Sequence, residues 1–161
     1  ASMNVQVELA RIFIREMTEM QIIELSEIDG SRSFPIVIGL PEAFAIERRL
    51  KGIEIARPQT HDLLGSIITM LGGTLVRIEI NNLQEGTFYA VLVIDQAGSE
   101  LRVDSRPSDA IALGIAHDVP IMVAEHVLEE AAAEDMDSML NGGAGSPPEE
   151  APDADAEEGA S

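Results

Sequence analysis

Short runs of alternating apolar and polar residues, broken by Gly, Pro and Asp, dominate the chain from Val5 to Ala124 and predict strands. Val5 to Ile14 is one, with Val5, Val7 and Leu9 in one phase and Ile12 and Ile14 in the other. The change of phase near Ala10 predicts a bulge. Gln21 to Ile28 is a second strand, and Asp29-Gly30-Ser31 turns it back against Phe34 to Ile38. Phe34-Pro35-Ile36-Val37-Ile38 is apolar on both faces and is expected inside a sheet, with Pro35 at its start. Leu75 to Leu83 and Thr87 to Asp95 read as a hairpin in which Val76, Ile78 and Ile80 share a face opposite Arg77, Glu79 and Asn81. Phe88 to Ile94 is expected to be central, Leu101 to Asp104 follows the Ala97-Gly98 turn, and Ile121 to Ala124 is a last short strand.

Between these runs the apolar period changes to that of a helix. Pro41-Glu42 opens one whose Ala43, Ile46 and Leu50 form a stripe; Glu47, Arg48, Arg49 and Lys51 on its other side read as a solvated face. Thr60 is expected to cap a second helix, with Asp62 in the first turn and Leu63, Leu64, Ile67, Ile68 and Leu71 as its buried stripe. His61 falls on the edge of that stripe, where two readings stand, a half-buried core histidine or a catalyst. A last helix begins near Glu125.

Asp104 to Leu113 joins a strand end to a helix start and crowds its polar residues into six positions. Pro107 suits a first helical turn, and Ala110 to Ala116 is apolar or Gly throughout, so this helix is expected to be buried nearly all round. Only its first turn, with Ser108 and Asp109, is left to meet a ligand. Asp104, Arg106, Ser108 and Asp109 would then converge where spare backbone N–H groups favour anions, or simply cap the helix and close the loop with an Asp-Arg pair. Glu42-Ala43-Phe44-Ala45-Ile46 and Asp109-Ala110-Ile111-Ala112-Leu113 each follow three strands, which suggests a duplicated strand-strand-strand-helix unit. The fold class expected is α+β, a mixed, mainly antiparallel sheet with packed helices, in one domain over residues 1–131. Residues 132–161 are expected to form a disordered acidic tail.

Composition narrows the function classes. Without cysteine there is no disulfide scaffold, thiolate zinc site or thiol nucleophile. No run is long and apolar enough for a bilayer and no signal segment is legible, so a cytoplasmic protein without membrane contact is expected. Net charge is −19, and eleven of the 29 acidic residues but none of the ten basic ones lie from Glu129 onward. The remaining part is acidic as well, which argues against tight, salt-sensitive binding to phosphate backbones but not against a metal-using enzyme that holds a short stretch of nucleic acid. With Phe13, Phe34, Phe44, Phe88 and Tyr89 the only aromatics, a base-stacking platform is not expected. So apolar a chain has edges and faces to cover, and a homo-oligomer is expected.

Four strings, Phe34-Pro35-Ile36-Val37-Ile38-Gly39, Arg57-Pro58-Gln59-Thr60-His61-Asp62-Leu63-Leu64, Gly86-Thr87-Phe88-Tyr89-Ala90 and Asp104 to Leu113, together resemble the bifunctional nuclease domain family. The resemblance runs from about Met3 to Leu128. It implies deoxyribonuclease and ribonuclease activity, attributed to a few members; some members also carry a C-terminal UVR-type helical motif that contacts repair proteins, where this chain has its acidic tail. The resemblance also makes a shared cleft for the helix starts near residues 60 and 107 more plausible than either set alone.

Phosphodiester cleavage needs an activated water and stabilised phosphoryl oxygens. On chemistry, Asp62, Asp104, Asp109 and Glu42 are the expected ligands of one Mg²⁺ or Mn²⁺, and Arg57 and Arg106 the expected phosphate forks. Thr60 and Ser108 are expected to cap helices that face the phosphate. His61 is the expected general base or acid, with Asp62 and Asp109 as its catalytic companions. The rival is a non-catalytic module that binds an anionic ligand or a protein partner with the same residues.

Overall fold

In the computed structural model, which describes residues 4–15 and 17–141, three strands, β1 (Asn4–Phe13), β2 (Met20–Glu27) and β3 (Ser33–Gly39), lead into helix α1 (Leu40–Leu50). Helix α2 (Thr60–Met70) is followed by β4 (Gly73–Gln84), β5 (Thr87–Gln96), β6 (Ser99–Ser105) and α3 (Pro107–Ala116). The chain then runs through β7 (Ile121–Ala124) into α4 (Glu125–Asn141). All seven strands join one sheet in the order β3-β2-β1-β7-β4-β5-β6. Every pairing is antiparallel except β4 with β7, so the sheet is mixed and mainly antiparallel and the fold class is α+β.

Each three-strand meander runs from the middle of the sheet to one edge and ends in a helix, and α1 and α3 pack on each other. Short β7, apolar throughout, is wedged between β1 and β4 and joins the meanders. The bulge expected in β1 is present: the pairing with β2 shifts between Leu9 and Arg11.

The sheet is strongly curled. Phe34 on β3 and Phe88 on β5 stack with ring centroids 5.6 Å apart, although five strand spacings, about 24 Å in a flat sheet, separate their strands. Into this concavity goes α3, whose Pro107, Ser108 and Ala110 to Gly114 are all buried. Ile23, Leu25, Ile36, Ile78, Ile80 and Ile121 line the sheet beneath the helices.

Several strand and helix environments differ from expectation. Strand β3 is an edge rather than an interior strand. Its second face, Pro35 and Val37, is exposed, and an edge is where a residue without N–H leaves no ladder bond unmade. Strand β5 lies inside the sheet but next to the last strand. Val76 does not share a face with Ile78 and Ile80, because the pairing shifts between Leu75 and Arg77 and turns it out to solvent. The stripe on α2 is largely uncovered, with Leu63 53% and Leu71 69% exposed, since α2 packs chiefly on α3 and β4 and no described element covers its outer flank. The basic side of α1 is not uniformly solvated either, since Arg48 is mostly buried. Finally, α4 continues past Ala132 to Asn141, so the start of the expected tail is helical; its remainder, 142–161, lies outside the described residues.

On the sheet face away from the helices, Glu79 is 6% exposed and sits between two arginines, Arg77 of its own strand and Arg102 of β6. Its Oε1 accepts from Arg77 Nε at 2.9 Å and its Oε2 from Arg102 Nη2 at 2.5 Å, and Arg77 also reaches Glu100 at 3.1 Å. Burial pushes the Glu79 carboxyl up, but hydrogen bonds from Arg102 and Arg77 outweigh it and hold it below the usual carboxylate range. A carboxyl depressed on folding stabilises the fold fully above its unfolded value of about 4.3 and loses that contribution as pH falls through the folded value. Glu79→Gln is therefore expected to cost about 1–3 kcal/mol at neutral pH, less than a sealed pair because both arginines reach solvent. Urea unfolding of variant and parent checks this, with the difference shrinking towards zero below the folded carboxyl value.

Candidate active site

The beginning of α2 is built by a side chain that reaches backwards. Asp62 Oδ2 accepts the Gln59 N–H at 2.9 Å, so the N-cap is Gln59, and Thr60, expected to cap, is the first helical residue. Arg48 from α1 donates through Nη2 to both Asp62 oxygens, at 3.0 and 3.2 Å, and Arg49 lies 3.7 Å away. Burial raises the Asp62 carboxyl, but the Gln59 and Arg48 hydrogen bonds outweigh it and leave it below its ordinary value. Helix α3 begins more simply. Arg106 is its extended N-cap, Pro107 occupies the first turn without a missing bond, and Asp109 supplies the negative charge that a helix start favours.

The two starts meet. His61 Nε2 lies 2.8 Å from Asp109 Oδ1, across 48 positions of sequence. The other Asp109 oxygen accepts from Arg106 Nε at 2.9 Å, and Arg106 Nη2 donates to Glu42 Oε1 on α1 at 3.0 Å. One chain of charged hydrogen bonds thus ties the first turns of α1, α2 and α3 together. Above it opens a cleft of about 680 Å³ rimmed by Glu42, Thr60, His61, Asp104, Arg106 and Asp109 and floored by Leu92, Val103 and Leu113. That volume lies within the range of ordinary small-ligand sites.

Electrostatics sets the proton positions. Burial pushes the Asp109 carboxyl up, yet hydrogen bonds from His61 and Arg106 prevail and keep it below the usual range. An ionised carboxylate only accepts, so the shared hydrogen belongs to His61 Nε2 and the ring's basic nitrogen in its neutral form is Nδ1. The His61 side chain is 15% exposed, whereas that of Arg106 is 67% exposed, with guanidinium donors to spare beyond its two carboxylate partners.

Of the expected site residues, Glu42, Thr60, His61, Asp104, Arg106 and Asp109 share the cleft. Three do not. Asp62 is turned to the far side of α2, where it lines a hollow with Arg48, Arg49 and the chain after α1. Ser108 is buried and borders a neighbouring hollow between β3 and Phe88. Arg57 is exposed on the loop before α2, outside the cleft wall.

The expected metal set is dispersed in consequence. Asp62 is held by arginines, Glu42 and Asp109 both share Arg106, and among the described residues no three His, Asp or Glu side chains stand together as a metal-binding group. This donor set does not fit the hard divalent ion expected of it, which needs several unshared oxygens.

Sequence reasoning missed Gln59, Arg48 and His117. The first two act through Asp62, whose spacing to Gln59 is that of a capping box with Gln in place of Ser or Thr. His117 had an indirect signal, Gly65 inside an otherwise apolar helix, since glycine there marks a close approach. A Cβ on Gly65 would collide with the His117 ring.

A model of the bifunctional nuclease domain family matches residues 23–136, which include both helix starts. An uncharacterized protein of Mycobacterium tuberculosis is 40% identical over 126 residues, 78% of this chain and 75% of its own length. Bifunctional nuclease 2 of Oryza sativa subsp. japonica is 27% identical over 114 residues, 68% of this chain and 35% of its own. Bifunctional nuclease 1 of Oryza sativa subsp. indica is 25% identical over 118 residues, 71% and 36% of the two lengths.

The placement of Asp62 makes it a structural residue. Its removal strands Arg48, whose Nη1 is already buried without a partner among the described residues, and uncaps α2. Asp62→Ala is expected to lower stability by about 1–3 kcal/mol, read as a reduced thermal midpoint.

Proposed function

The chain belongs to the bifunctional nuclease domain family, and from that premise we propose that the cleft between α1, α2 and α3 hydrolyses phosphodiester bonds of RNA or DNA. The observation that carries this reading is the 2.8 Å bond between His61 and Asp109, an oriented base and its carboxylate, at the mouth of an open cleft that also holds an exposed arginine. The names of the two rice relatives, both bifunctional nucleases, support the substrate class.

Neutral His61 takes a proton from water through Nδ1 as the water oxygen bonds to phosphorus and the ester P–O bond breaks. Solvent protonates the departing oxygen. Asp109 fixes the ring and stabilises the imidazolium that forms, as a buried carboxylate does in other acid–base pairs. The donors of Arg106 not used by Asp109 and Glu42 meet the phosphoryl oxygens as negative charge gathers there. Thr60 and the first N–H groups of α2 add dipolar support on the opposite wall.

Copies of the chain associate, on this reading, through the outer face of α2. Leu63, Ile67, Met70 and Leu71 are exposed there without a charged side chain among them, and β6 offers an unpaired sheet edge.

Two measurements test these statements. Purified protein incubated with single-stranded RNA and DNA, in Mg²⁺, Mn²⁺ or chelator, is expected to cleave, and His61→Ala or Asp109→Ala to cut the rate at least about 100-fold. Rates unmoved in both folded variants would overturn catalysis and leave an anion-binding module. Sedimentation equilibrium is expected to give a species heavier than one chain, which Ile67→Glu reduces to the monomer.

A further inference from the structure

A second hollow, of about 420 Å³, lies along α2 on the other side of His61 and shares that residue with the cleft. Arg49, Gly65, Ser66, Thr69, Met70 and His117 also line it, as does Asp62, whose carboxylate is held by Arg48. His61 and Gly65 are one turn apart on α2, and the imidazole of His117, the residue that ends α3, lies against Gly65 where a side chain would otherwise stand. Glycine inside a helix is unfavourable relative to alanine. The seat so made lies about 6 Å along the helix axis from the position that carries His61, the rise of one turn. Arg49, 46% exposed, stands beside it and among the described residues has only a long 3.7 Å tie to Asp62, whose charge is met by Arg48.

We infer that this hollow is a subsite for the phosphate that neighbours the scissile one, so that the substrate is a single-stranded polynucleotide laid across His61 rather than a mononucleotide or dinucleotide. The inference rests on the cleft being a nucleic-acid site. An imidazole, a guanidinium and the Ser66 hydroxyl all donate to phosphate oxygens, while the Thr69 hydroxyl is spent on the Gly65 carbonyl at 3.1 Å, and the one-turn spacing is of the order of that between successive phosphates in an extended strand. Leu63, Ile67 and Leu71 point to a different side of α2 from Ser66 and Thr69, so association of copies centred on them leaves this path open, with Met70 at the border of the two surfaces.

Binding of the full chain to fluorescein-labelled oligo(U) and oligo(dT), from dinucleotide to octanucleotide at low salt, tests the subsite by anisotropy. The unmodified chain is expected to gain about tenfold in affinity with length, a change of ~1.4 kcal/mol. His117→Ala, at an exposed position, and Gly65→Ala, which fills the seat of the ring, are each expected to abolish most of that gain. An equal gain in parent and variants, or no gain in the parent, overturns the inference. A His117-dependent gain without His61-dependent cleavage would sink the catalytic reading and leave the subsite standing, whereas cleavage without the gain would do the reverse.

Discussion

Burial of α3 inside a curled sheet is the constraint from which the rest of the molecule follows. A helix covered by β4, β5, α1 and α2 has no side on which to place a charge, so Ile111, Leu113 and their neighbours are apolar and only the first turn reaches the surface. Two fully buried side chains of this size contribute about 1.5–3 kcal/mol each, and closing the sheet around them brings Phe34 onto Phe88. The same closure fixes where Arg106 and Asp109 project. The cleft is thus a by-product of packing, the one end of a buried helix that the wrapping cannot cover.

Charge is distributed with the same economy. In a chain with 29 acids and ten bases, the arginines stand where a carboxylate is partly buried: Arg48 on Asp62, Arg77 and Arg102 on Glu79, Arg32 on Glu27 and Glu125. Each holds its carboxyl partner below the usual carboxylate range. Arg106 belongs to this pattern through Asp109 and Glu42 but departs from it in exposure, holding two carboxylates while facing open space. A cation both oriented and accessible suits an anionic ligand, and in so acidic a molecule it confines anion binding to a short stretch.

Much of the fold could be read along the chain because its determinants are local. The bulge at Ala10, the all-round burial of α3, the start of α4 at Glu125 and the strand-strand-strand-helix rhythm each follow from neighbouring residues. The departures share one cause, that burial depends on partners far away in sequence. Among the described residues, Leu63 and Leu71 carry the same pattern as a buried stripe, yet no element arrives to cover them; Val76 loses its phase to a bulge set by β5; Pro35 and Val37 end on an edge because no described strand pairs beyond β3.

The site divides in the same way. Residue chemistry and spacing placed His61, Arg106 and Asp109 at helix starts with structural and functional readings both open, and the family resemblance added weight to the functional one. Whether those starts touch was beyond any local pattern, since the His61–Asp109 bond spans 48 positions and exists only because α2 and α3 pack together. Asp62 and His117 show the converse. One residue along from His61 on a helix is about 100° round its axis, enough to take Asp62 out of the cleft and give it to Arg48, while His117 gains its place on α2 through the absence of a side chain at Gly65. The sequence by itself determined which groups were available and which element carried each; the tertiary structure alone decided which of them face one another, because that depends on the rotation and contact of whole helices.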